Sequence, residues 1–336
     1  MRDKFKIRIM FLIIFSIITF IICSSIGRFE LNAKDIVNFL LNKFSLSNNT
    51  IDNSKINVLE TIRIPRMIGA FLIGMSLSVS GACYQAIFKN PLVSPDLLGV
   101  SQGACVGAAL SIILGLSYVN TQIFALIGGL FAVIIATSIP KILKNDSTLM
   151  LVLSGVIVSG FMSSIIGLLK YLADDETELP AITYWQLGSL STIRNTTILK
   201  IIIPMILALL LIFFLRWRIN ILSLGDDEAE LVGIDVKKIR FLTVLSSTIL
   251  TALSVCIAGT IGWVGLIIPH LSRLIVGVDN KKVIPTSIFL GASFMMIVDT
   301  LARSLTQAEI PLSIITGFIG APLYLLLLLK SEVRLK

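Results

Sequence analysis

Apolar residues gather along this chain into ten blocks long enough to cross a bilayer, and the polar segments between them are too short to hold a soluble domain. A spanning helix needs about 20 mostly apolar residues. The blocks run Ile7 to Ile26, Ile64 to Tyr84, Leu97 to Gly115, Gln122 to Pro140, Leu149 to Leu169, Ile198 to Leu215, Phe241 to Ala258, Val264 to Val276, Val283 to Leu301 and Leu312 to Leu329. Each predicts a transmembrane helix, the eighth being the shortest. Together they predict an all-α integral membrane protein, one transmembrane domain over residues 1–336 with its first span in 1–28.

The connecting segments carry patterns of their own. In 29–62, Ile36, Val37, Leu40 and Leu41 recur at helical spacing and predict one short amphipathic helix lying at the interface. The Asn/Ser run from Ser45 to Asn57 reads as an exposed loop. Between the fifth and sixth blocks, Tyr184 and Trp185 form an aromatic pair suited to the headgroup zone, and a short helix from Ala181 to Leu190 is expected over the fifth block. The loop 216–240 contains Gly225-Asp226-Asp227-Glu228-Ala229-Glu230-Leu231-Val232-Gly233, which reads as a short helix opened by acidic residues at its positive end and stopped by Gly233. Such a helix is either a solvated connector or a docking surface for a soluble partner.

Inside the blocks the punctuation is uneven. Between the second and third, Gln85, Asn90, Pro91, Pro95 and Gly99 interrupt the apolar run, and prolines four apart break a helix at membrane depth. Broken backbone is tolerated there only where protein or a water-filled cavity satisfies its polar groups. The fifth block carries Ser154, Gly155, Ser159, Gly160, Ser163, Ser164 and Gly167 on shared faces, which fits close helix packing or a polar path. Leu77-Ser78-Val79-Ser80-Gly81 in the second block is faintly echoed by Leu253-Ser254-Val255-Cys256 and Gly259 in the seventh, and because the two would cross the membrane in opposite directions the echo is a weak hint of an inverted repeat.

Composition agrees: 55% of the 336 residues are hydrophobic and 14% charged, where a soluble domain has about a quarter charged. The net charge of +8 does not point to nucleic acid, because the basic residues sit at block ends rather than on one stripe. Most of them, including Arg2, Lys4, Lys6, Arg8, Lys141, Lys144, Arg216, Arg218, Lys237, Lys238, Arg240, Lys281, Lys282, Lys330, Arg334 and Lys336, fall on one side if both termini are cytoplasmic, which is the orientation the positive-inside bias favours. The first block starts like a signal peptide but lacks a small-residue cleavage site, so an uncleaved anchor in a bacterial cytoplasmic membrane is expected. Cys23, Cys83, Cys105 and Cys256 lie at unrelated spacings and read as packing residues; with one histidine and no His/Cys/carboxylate cluster, no metal site is expected.

The eighth block begins Gly259-Thr260-Ile261-Gly262-Trp263-Val264-Gly265-Leu266-Ile267-Ile268-Pro269-His270-Leu271-Ser272-Arg273 and is followed by Gly277-Val278-Asp279-Asn280, Asp299-Thr300-Leu301-Ala302-Arg303, Glu309-Ile310-Pro311-Leu312 and Gly317-Phe318-Ile319-Gly320-Ala321-Pro322. With the Gly81 to Ala104 segment, these motifs closely resemble the permease subunits of the iron-siderophore, haem and vitamin B12 family of ABC importers, the FecCD type, over a core of 63–330. Trp263 stands where that family more often has Phe.

The resemblance implies a BtuC-like permease that pairs with a second copy or homologue, with a cytoplasmic ABC ATPase dimer below and an extracellular solute-binding lipoprotein above. ATP and Mg would be bound by the ATPase and no cofactor by this chain. It implies ATPase docking on Gly225, Asp226, Glu228, Ala229, Glu230, Leu231 and Gly233, and binding-protein docking on Arg63, Arg66 and Arg303 at the outer mouth. Pro269, His270 and Arg273 join Gln85, Asn90, Pro91, Pro95 and Gly99 as structural motifs at broken helices. Asp299, four residues before Arg303, suggests a local helical ion pair.

No Gly-x-x-x-x-Gly-Lys-Ser/Thr loop is present, so the chain is expected to be a passive pathway rather than an ATPase or other enzyme. Ferric siderophores are the first expectation for cargo, with haem, cobalamin and molybdate as alternatives within the same type. An ion-coupled secondary transporter is the competing class, and it usually carries ionisable groups at span centres, where this chain has almost none. A membrane scaffold or sensor would leave the broken-helix motifs without a use.

Overall fold

A computed structural model describes residues 2–43, 45–46, 51–145 and 147–333. Those residues form helices and connecting turns without a strand: α1 (Arg2–Ser25), α2 (Ala33–Lys43), α3 (Asn53–Val58), α4 (Ile64–Ile87), α5 (Val100–Ile113), α6 (Tyr118–Ile142), α7 (Thr148–Leu172), α8 (Glu178–Leu187), α9 (Asn195–Leu222), α10 (Asp226–Leu231), α11 (Val236–Ala258), α12 (Val264–Val276), α13 (Asn280–Ser304) and α14 (Leu312–Val333). Seven of the helical stretches are long and apolar enough to span a membrane, and α5, α12 and the start of α14 are shorter apolar helices. These ten coincide with the ten apolar blocks.

The spans divide by depth. α4, α11 and α13 are buried over most of their length, whereas α1, α6, α7 and α9 bury only a minority of theirs and expose rows of Leu, Ile and Phe. Apolar packing gives little preference between helix and lipid contact inside a bilayer, so small and hydroxylated residues select the neighbours. Ser80 pairs with Thr251 at 2.8 Å and Tyr84 with Thr248 at 3.0 Å, joining α4 to α11. Ser78 donates to the Ser287 carbonyl at 2.7 Å, joining α4 to α13, and Ser16 pairs with Ser293 at 2.8 Å to bring α1 against α13. The two segments with the faint sequence echo therefore belong to helices that pack directly on each other.

The outer segment departs from expectation. α2 forms where the amphipathic pattern lies, with Ile36 and Phe39 buried. The stretch 45–57 is not a loop throughout: Asn53–Val58 is helical, capped by Asp52, whose side chain accepts from the Ser54 N–H, and it runs through a π turn at Leu59–Arg63 into α4. Polar composition hid a capped helix start; residues 47–50 lie outside the described residues. α8 begins three residues earlier than expected because the Asp174 carboxylate accepts from the Glu176 and Thr177 N–H groups, and it stops at Gly188 with φ +77°. The Gly188 carbonyl then takes the Leu312 N–H at 3.0 Å, tying α8 to the start of α14.

Candidate functional site

Three places bring the sequence candidates together, and the first is the break after α4. Asn90 accepts the Leu92 N–H at 2.9 Å on its side-chain oxygen, Pro91 follows in the turn, Pro95 opens a short 3₁₀ turn through Leu98, and Gly99 has φ +80° before α5 begins. The broken strand of backbone is covered by protein: a side chain at Gly81 would run into the Gly265 carbonyl, one at Gly265 into the Pro95 ring, and one at Gly155 into the Leu97 carbonyl. Small residues on α4, α7 and α12 are thus what admit it.

Pro269 sits inside α12 and supplies no N–H to its own helix, which frees the carbonyl four residues back. Gln85 occupies that place, its amide nitrogen 3.2 Å from the Leu266 carbonyl and 3.5 Å from that of Gly265, while its oxygen accepts from Arg273 at 2.6 Å. Gln85, far away in sequence, thus forms one structural unit with Pro269 and Arg273 of α12. His270 stands edge-on to the Tyr324 ring with centroids 6.1 Å apart.

The second place is α10, which lies directly beside the break. Asp226 is bound by Arg240 at 2.6 Å and by Lys89 at 3.5 Å, so the segment after α4 is joined to the short helix. Partial burial works against ionisation of Asp226, but Arg240 and Lys89 outweigh it and hold the carboxyl below its ordinary range. The Glu228 carboxylate folds over Gly225, where a Cβ would push it aside. Gly233 has φ +77°; its N–H reaches the Glu230 carbonyl and the Ile234 N–H reaches that of Ala229, a left-handed stop that satisfies the last carbonyls. Ala229 is buried against the body of the protein, while Leu231 is 87% exposed and Val232 57%. Glu228 and Glu230 flank this apolar tip. The pairing of Lys89 and Arg240 with Asp226 is absent from the sequence reading, its only signal being their opposite charge to the acidic run.

The third place is at the opposite end of the spans. Arg63, Arg66 and Arg303 converge and are buried, and most of their donors are taken up within the protein, Arg303 Nε being left without a hydrogen-bond acceptor. Arg66 takes Asp299 along one edge at 2.9 and 3.0 Å and Glu309 along the other at 2.7 and 2.9 Å. Asp299 therefore pairs chiefly across helices with Arg66; the expected i,i+4 contact to Arg303 is a longer 3.5 Å. Arg63 donates to the carbonyls of Ser24, Ile26 and Phe29, and Arg303 to those of Cys23 and Ile26. The physical reason is the end of α1: its last carbonyls lack helical partners and carry the negative end of the helix dipole, so two guanidinium groups close them. Glu309, quoted in a motif but given no role, is the partly exposed member of the cluster.

A polytopic helical bundle with a broken re-entrant segment and a surface helix between spans six and seven is the architecture of a membrane permease driven from outside. The profile of the FecCD transport family matches residues 13–330, and the chain belongs to that family. It is 39% identical over 320 residues to the molybdate import system permease protein MolB of Haemophilus influenzae, covering 94% of this chain and 93% of the relative. It is 40% identical over 287 residues to a probable iron chelatin transport system permease protein of Helicobacter pylori, covering 85% and 86%. A solved structure described as an inward-facing conformation of a metal-chelate type ABC transporter superposes with a TM-score of 0.86 at 37% identity, covering 96% of this chain and 98% of the other. The protein is an ABC importer permease of the cytoplasmic membrane, a transport subunit and not an enzyme.

Proposed function

We propose that the chain moves ferric siderophore complexes inward, with both termini in the cytoplasm, as one half of a permease pair whose gates are worked by an ATPase seated on α10. The carrying observation is the exposed Leu231–Val232 tip on a helix that is itself anchored through Ala229, Asp226, Arg240 and Lys89. A solvated connector has no reason to hold two apolar side chains in water, and a small apolar knob ringed by acids suits insertion into a partner's cleft. Because Lys89 links α10 to the broken segment, a push on α10 reaches α4, α5 and α12 directly.

The cargo reading is supported by the iron chelatin relative and by the metal-chelate transporter of like fold. The exposed face of α7 adds to it: Gly160 and Gly167 have open space where side chains would stand, and Phe318 and Ala321 of α14 are exposed. Two such faces from paired permeases make a wide path without charged groups, suited to a bulky complex. Molybdate is the second reading, favoured by the long match to the Haemophilus influenzae relative.

Docking of a binding protein on Arg66 requires exchange, since a partner carboxylate reaches that guanidinium only by displacing Glu309. The test is uptake into vesicles holding the permease, its ATPase and its binding protein, with radiolabelled ferric siderophore and molybdate in separate arms. ATP-dependent accumulation of the iron complex alone is expected; molybdate alone shifts the cargo, and uptake by the isolated chain on an ion gradient overturns the importer mechanism.

A further inference from the structure

We infer that the ends of α6, α7 and α11 nearest α10 form a binding site for the phosphodiester headgroup of an anionic phospholipid. A pocket of about 290 Å³ opens there, lined by Lys141, Ser147, Leu151, Lys237, Arg240 and Phe241 among others. Three elements build it: α6 contributes Lys141 from its last turn, α11 contributes Lys237 and Arg240 from its first turns, and α7 contributes the wall at Leu151.

The chemistry of the lining is two-sided. Its rim is basic, with the Lys141 ammonium 6.0 Å above the Phe241 ring, which holds that charge over the opening. Its wall is apolar, and the flanking surface is too, since Ile142, Leu149, Phe241 and Leu245 are exposed. A phosphate on a glycerol carrying acyl chains matches both sides at once, whereas a soluble anion uses only the rim. Arg240 adds a third positive charge to the lining. One of its terminal nitrogens is spent on Asp226 at 2.6 Å, which fixes the guanidinium in the pocket wall.

Depth argues the same way. Basic pockets between helices at the cytoplasmic side, where the leaflet carries negative lipid, are suited to headgroup binding. Through Arg240 the site touches Asp226, so a bound lipid would help fix α10 to the body of the permease. The inference is independent of the cargo.

The test uses the full chain, delipidated in detergent, titrated with dioctanoyl phosphatidylglycerol, dioctanoyl phosphatidylcholine or glycerol phosphate while thermal stability is followed. A saturable rise in Tm with phosphatidylglycerol is expected, with the other two at least about tenfold weaker. The double variant Lys141→Gln, Lys237→Gln should bind phosphatidylglycerol about thirtyfold more weakly, two interfacial charges being lost. Its unliganded Tm should fall only a little, since both side chains are exposed and the contact of Lys141 with Phe241 is long, and Lys238→Gln, exposed and outside the pocket lining, should respond as wild type. Equal response to phosphatidylcholine would reduce the pocket to a greasy groove, and equal response to glycerol phosphate would make it a soluble-anion site. Either result, an unaltered response in the double variant, or displacement of the lipid by added partner ATPase overturns the proposal.

Discussion

The two ends of this permease use charge in opposite ways. At the end formed by α1, α4 and α13, three arginines and two carboxylates are folded inward, and the surplus positive charge is absorbed by the carbonyls that close α1. At the end carrying α10, the charges reach the surface: Asp226 and Lys89 are partly exposed, the more buried Arg240 holds Asp226 from within, and Leu231 projects bare. The first arrangement is a strut, since each buried charge needs every partner in place. The second is a presented surface, where an exposed side chain such as Leu231 can be changed with little effect on the fold. One end is thus locked by its own contacts and the other is presented, which is the contrast on which the proposed entry of force at α10 rests.

Breaking the strut should have the largest effect. Asp299→Ala leaves Arg66 without its buried partner and Arg303 without its nearest carboxylate, and an uncompensated buried charge of this kind costs about 3–5 kcal/mol. Thermal unfolding in detergent should show a large fall in Tm or loss of folded protein. Glu309→Gln, at the exposed edge of the same cluster, should cost at most about 1 kcal/mol, because solvent screens that pair. Equal losses in the two variants would show that the cluster does not act as a buried unit.

Much of this layout was legible in the chain itself, and the gaps have physical causes. The ten spans followed from length and apolarity, and α10 from an acidic start and Gly233, because both signals are local. The break between Asn90 and Gly99 was legible for the same reason. The arginine cluster was not, since its partners lie 233 and 243 residues away or are backbone carbonyls, which carry no sequence mark at all. Asp299 looked like the partner of Arg303 by helical spacing, yet Arg66 offers it a geometry in which both oxygens are held. Gln85 could have been found only by knowing that Pro269 would leave a carbonyl beside it.

On the presented end the expected effects are smaller and fall on binding. Leu231→Asp should weaken ATPase association by about 2 kcal/mol, roughly thirtyfold, as removal of a central apolar anchor does. Its Tm should shift by no more than about 0.5 kcal/mol equivalent, since the side chain touches little of its own fold. Co-purification and a binding isotherm check the first, thermal unfolding the second. A drop in Tm with unchanged association would return α10 to the status of a connector.

Gly233→Val should follow at roughly 1–2 kcal/mol. Space is open around Gly233, so the obstacle is the backbone: a β-branched residue at φ +77° is strained wherever it points. The stop after α10 would then shift, altering the set of the helix while leaving Leu231 in place. ATPase binding with reduced uptake per ATP hydrolysed is the expected pattern, read from parallel transport and hydrolysis assays. Coupled transport at the wild-type ratio would mean that the exact pose of α10 is unimportant.

The smallest effect is a pH dependence that separates surface charge from buried charge. The carboxyl of Asp226 is held below its ordinary value, so the native state takes up its proton less readily than the unfolded chain does. The stabilisation from this group is therefore fully present above the unfolded value of about 4 and is lost as pH falls through the lower native value. Wild type and Asp226→Asn should differ in Tm at neutral pH, and the gap should close as the solution is acidified below about pH 4. A gap that persisted in acid would assign the contribution of Asp226 to packing against Arg240 rather than to charge, and the contrast between the two ends would narrow accordingly.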